Sequence, residues 1–162
     1  MTAVEKYFTG EKAESYLFLA MGIMSIILAV YFFFTLKQSF WKGVAVPFLL
    51  VAILEIIVGY TIVTRSPKDI VRVENILQNN KQHIQTEEIP RMEKVLQNFV
   101  VFRYIEIALI ILGILLMYAT PAASFWKGLG LGLFMQASIV LTLDFFAESR
   151  GKIYIEYLQN IK

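Results

Sequence analysis

The sequence predicts an all-α polytopic membrane protein, a four-transmembrane-helix bundle built from two tandem helical hairpins with short cytoplasmic helices. Three observations predict it. The chain is 57% hydrophobic and only 17% charged, against about 45–50% and about 25% in soluble domains. Its apolar residues gather into four runs, each about the 20 residues a helix needs to cross the hydrocarbon core. The pentapeptide Ser-Phe-Trp-Lys-Gly occurs twice, at Ser39–Gly43 and Ser124–Gly128, each time between two such runs.

The four spans fall at 16–36, 44–64, 100–120 and 127–147. The first holds no charge, and the second holds only Glu55. Arg103 and Glu106 stand near the start of the third, and Asp144 near the end of the fourth. The first 15 residues carry five charges, and the apolar run behind them is too long for a signal-peptide core, so the first span is expected to persist. With no cysteine and one histidine, the composition offers no disulfide, thiolate metal site or thiol nucleophile. A net charge of +2 gives no footprint for nucleic acid.

Four spans place both termini and the middle segment on one side. Of the 15 Lys and Arg, 12 lie on that side and 3 on the other: Lys37, Lys42 and Lys127. The positive-inside rule then puts the termini in the cytoplasm and both pentapeptide turns outside, in a plasma or bacterial inner membrane. Trp41 and Trp126 suit the outer interface as anchors.

Aligning the pentapeptides sets an offset of 85, at which Arg65 falls on Arg150 and Ala52 on Ala137. The likeness continues outside the turns, with Glu74–Asn79 after the second span and Glu156–Asn160 after the fourth. The expected repeats are 1–80 and 81–162 within a single membrane domain, joined through a cytoplasmic helical connector at 65–99. Each unit has two spans, so the halves enter with one polarity, related by an axis along the membrane normal. In the connector, Ser66 is expected to cap a new helix with Pro67 at its first position. Ile70, Val73 and Leu77 give that helix an apolar face, and Asn79-Asn80 ends it. Met92, Val95, Leu96 and Phe99 then run at helical spacing from Pro90 into the third span. This segment is expected to pack against the terminal helices or lie on the membrane surface.

Within lipid, helices associate through small residues that let backbones approach. Gly22, Ser25 and Ala29 line one face of the first span, Ala45, Ala52 and Gly59 one face of the second, and Gly128 and Gly132 one face of the fourth. Gln136 continues that last face. Glu55 shares the small-residue face of its span and lies ten residues from Arg65, roughly 15 Å into the membrane. An intramembrane carboxylate is a functional candidate by default. Glu106 and Asp144 are shallower, and Arg103 is spaced to pair with Glu106 along one helix face. Glu55, Arg103, Glu106, Gln136 and Asp144 are therefore the candidate ligand- or partner-binding residues. A carboxylate-only Mg²⁺ site would need Glu55, Glu106 and Asp144 to meet, and their depths differ. No metal, cofactor or catalytic set is expected. His83 is expected to be a solvated linker residue.

The expected function is that of a non-catalytic membrane interaction protein: an accessory, regulatory or protective partner of another membrane protein, or a homo-oligomeric scaffold. The alternative is a small proton- or cation-coupled transporter or channel that uses Glu55.

Overall fold

The computed structural model describes residues 2–161; Lys162, counted above among the basic residues, lies outside them. Four helices account for most of the chain: α1 Ala3–Phe34, α2 Ser39–Asn79, α3 Ile89–Ala119 and α4 Phe125–Gln159. All four are long and apolar enough to cross a membrane, which marks a multi-pass membrane protein.

Local chemistry sets the helix ends. Thr2 and Glu5 form a capping box at the start of α1: Glu5 N–H donates to Thr2 Oγ1 at 3.1 Å, and Thr2 N–H to Glu5 Oε2 at 2.7 Å. Ser124 caps α4 by accepting from Lys127 N–H at 3.1 Å. A one-turn π-helix at Ile84–Glu88 leads into α3, where Pro90 fills the first turn. α1 and α2 form one hairpin, α3 and α4 another, and α2 packs against α4 between them. Both hairpin turns lie at one end of the bundle. The opposite end, which carries the termini and most of the charge, is called here the charged end.

The helices run on beyond the apolar spans, as expected for the stretch from Pro90 into the third span, and Ile84–Glu88 stands apart as a one-turn π-helix. One expectation is corrected. Ser66 and Pro67 do not open a helix, because α2 runs through them. Ser66 Oγ donates to the Ile62 carbonyl at 2.7 Å, while Pro67 forfeits one backbone hydrogen bond. Packing outweighs that loss, since continuing the helix buries Ser66 and carries Val73 into the core of the charged end. That core joins Val4, Tyr7 and Phe8 of α1 to Val73, Ile84, Ile89, Met92, Tyr154 and Leu158. The connector thus packs between the two termini.

The small residues are spent inside the chain. A Cβ on Gly43 would strike the backbone of Phe125, and one on Gly128 would strike the backbone of Phe40. Gly113 and Gly130 meet in the same reciprocal way, where a Cβ on either would come within 2.7 Å of the other's carbonyl oxygen. Gly22 lies against Ala52 and Ile56, Gly59 against Ser15 and Leu19, and Gly132 against Val44 and Pro47. These contacts draw α2, α4 and their hairpin partners close, as small-residue packing in lipid requires.

Candidate functional site

Gln136 sets the site's inner edge. It is 1% exposed, and its Nε2 donates to Ser25 Oγ on α1 at 2.9 Å, tying α4 to α1 across the bundle. Its Oε1 has no hydrogen-bond partner among the described residues. Glu55 faces the same interior from α2. It is 3% exposed, and neither carboxylate oxygen has a hydrogen-bond partner among the described residues. A buried polar group without a partner is costly and unusual.

Both side chains line a cavity of about 430 Å³ that touches all four helices. Glu106 of α3 and Asp144 of α4 line it as well. Four of the five candidate binding residues therefore share one cavity: Glu55, Glu106, Gln136 and Asp144. Glu55, Glu106 and Asp144 do not gather into a group able to hold a metal ion among the described residues.

Arg103 is placed differently. It does not line this cavity, and it does not pair with Glu106 as the three-residue spacing predicted. Its guanidinium crosses to Glu148 of α4, which Lys152 also meets at 2.8 Å. The three-residue spacing put Glu106 within reach along α3, but the α3–α4 packing brings the Glu148 carboxylate to the Arg103 guanidinium instead. Arg103 lines a second cavity, of about 380 Å³, together with Phe99, Phe145 and Glu148. Glu106 and Asp144 line both cavities, so these two residues stand between them.

Several wall residues escaped the sequence reading. Tyr7, Glu11, Glu14 and Phe18 of α1 line the cavity toward the charged end, with Arg150 from α4. Glu11 takes Arg65 at 2.7 Å, and Glu14 takes Arg150. Burial raises the carboxyl of Glu11 above its ordinary range despite Arg65. The signal was present in the spacing, since Tyr7, Glu11, Glu14 and Phe18 recur at helical period on one face. Arg65 and Arg150, which align at the offset of 85, thus both engage α1.

Below the cavity, Glu88 is fully buried and saturated with donors. Arg72 Nη2 meets Oε2 at 2.7 Å, Arg91 Nη2 meets Oε1 at 2.6 Å, and Tyr154 Oη donates to Oε1 at 3.2 Å. The Tyr154 ring stacks on Tyr7 with centroids 4.1 Å apart. His83 is exposed and hydrogen-bonds to Glu87 at 2.8 Å. Trp41 packs on Phe32, and Trp126 is exposed.

Comparison of the chain with protein-family models, with characterised proteins and with solved structures found no match.

Proposed function

We propose that this chain is a non-catalytic membrane protein whose acidic cavity binds protons or cations and carries them across the bilayer. One observation carries this reading: Glu55 is buried in the cavity wall with both oxygens unpartnered. A carboxylate that merely fixed helix register would be expected to end on a donor, as Glu88 does. Five carboxyl groups, two of them paired with arginines, and one amide line a space large enough for a solute.

The charge split supports an orientation with both termini in the cytoplasm and the pentapeptide turns outside. The reciprocal contacts of Gly43 with Phe125 and of Gly128 with Phe40 support descent of 1–80 and 81–162 from one duplicated hairpin, since both pairs are related by the offset of 85. The interaction or homo-oligomer reading rested on small-residue faces. Those faces pack within the chain, so the cavity and not an outer face carries the proposal.

The test is flux into proteoliposomes under a proton or monovalent-cation gradient. The natural chain is expected to support flux, and Glu55→Gln is expected to reduce it at least tenfold. Absence of flux under either gradient, with co-purification of a stoichiometric membrane partner, would return the chain to the interaction class.

A further inference from the structure

The walls of the cavity constrain its ligand. Its carboxyl groups include Glu55, Glu106 and Asp144, while its one basic side chain, Arg150, is held by Glu14. An anion would meet carboxyl groups, and a neutral solute would leave Glu55 unpaired. The remaining wall is mostly apolar, with Val51, Leu109, Leu133 and Val140 facing the space and the rings of Phe18 and Phe99 beside them. A small inorganic cation needs about six oxygens to replace its water, and no such group forms among the described residues. An organic cation needs one counter-charge and an apolar enclosure. Aromatic faces add attraction for a cation stripped of water.

The open side of the cavity is lateral. At the charged end, the Glu11–Arg65 and Glu14–Arg150 pairs and the Tyr7–Tyr154 stack close it. Toward the turns, the backbones of α2 and α4 are in contact at Gly43, Gly128 and Gly132. Between α2 and α3 there is no extensive packing. Leu54 and Val58 on one rim, and Phe102 and Ile105 on the other, both face the cavity and lie exposed. In a bilayer that gap meets acyl chains. It admits amphiphiles dissolved in the membrane and excludes hydrated ions.

Resting on the carrier reading above, we propose that the ligand is an organic monocation with an apolar body, entering from the lipid between α2 and α3 and seated with its charge at Glu55.

The experiment is equilibrium binding to the full chain in phosphatidylcholine nanodiscs. The probes are tetraphenylphosphonium, tetramethylammonium and tetraphenylborate. Tetraphenylphosphonium is expected to bind saturably and at least tenfold more tightly than tetramethylammonium. Tetraphenylborate, of like shape and opposite charge, is expected not to saturate. Glu55→Gln should weaken tetraphenylphosphonium at least tenfold with helicity retained, and Val58→Trp on the rim should slow its association at least threefold. No saturable tetraphenylphosphonium binding, equal binding by Glu55→Gln, or equal affinity for the borate overturns the ligand class. Unchanged association in Val58→Trp overturns the lateral entrance. Glu55-dependent flux of protons or tetramethylammonium without tetraphenylphosphonium binding would sink the ligand class and leave the carrier reading standing. Glu55-dependent binding without flux would do the reverse.

Discussion

Glu88 and Glu55 are both buried, and they differ in what surrounds them. Burial alone would raise the carboxyl of Glu88, but hydrogen bonds and charge from Arg91 and Arg72 outweigh it and hold the group below the usual carboxylate range. A carboxyl group depressed on folding adds stability above its unfolded value, and that stability is lost as pH falls through the folded value. The charged end is therefore expected to loosen as pH falls below the ordinary glutamate range. Glu88→Gln leaves Arg72 and Arg91 without their counter-charge and is expected to cost about 3 kcal/mol, read as a lower midpoint of thermal unfolding in detergent. Glu11 has the opposite sign. Its raised value means the ionised form opposes folding, and the penalty is relieved as pH falls through that value. Glu11→Gln is accordingly expected to lose far less than Glu88→Gln, the same melting curve serving for both. The burial of Glu55 follows from its place on the Ala45–Ala52–Gly59 face, so that residue was legible in the sequence. Glu88 was not, because its donors come from residues up to 66 positions away, a distance that helical periodicity does not encode.

Among the elements, the glycines divide into those that meet backbone and those that meet flexible side chains. Gly43 and Gly128 abut the backbone of the facing helix, which cannot yield. Gly43→Ala or Gly128→Ala is expected to force α2 from α4 at a cost of about 3 kcal/mol. A Cβ on Gly151 would lie 3.2 Å from Leu96 Cδ2 and 3.6 Å from Met92 Cε, both mobile ends. Gly151→Ala is expected to stay within about 1 kcal/mol of the natural chain, helped by the better helix propensity of alanine. Paired melting curves separate the two cases, and equal losses at Gly43 and Gly151 would remove the close-approach account. The spans were legible at this scale because hydropathy and length decide them. The path of α2 through Pro67 was not, because a local breaker was overridden by the burial of Ser66 and Val73.

Across the whole molecule, the four helices leave one cavity between them, and Glu55, Glu106 and Asp144 all line it. Glu55 aligns with Val140 at the offset of 85, and both line the space. The sequence could mark that asymmetry but not that the two positions line one cavity, which depends on how α2 and α4 pack. On the proposal above, Glu55 is a carboxyl group without a protein partner that a cation reaches from the lipid and occupies. Reaction with dicyclohexylcarbodiimide, followed by peptide mass spectrometry, tests it most directly, because this lipid-soluble reagent attacks carboxyl groups in apolar surroundings. The predicted result is an adduct at Glu55 whose formation slows at least tenfold in saturating tetraphenylphosphonium, with Glu88 unmodified behind its arginines. No adduct at Glu55, or one that forms equally fast with and without the cation, would contradict it.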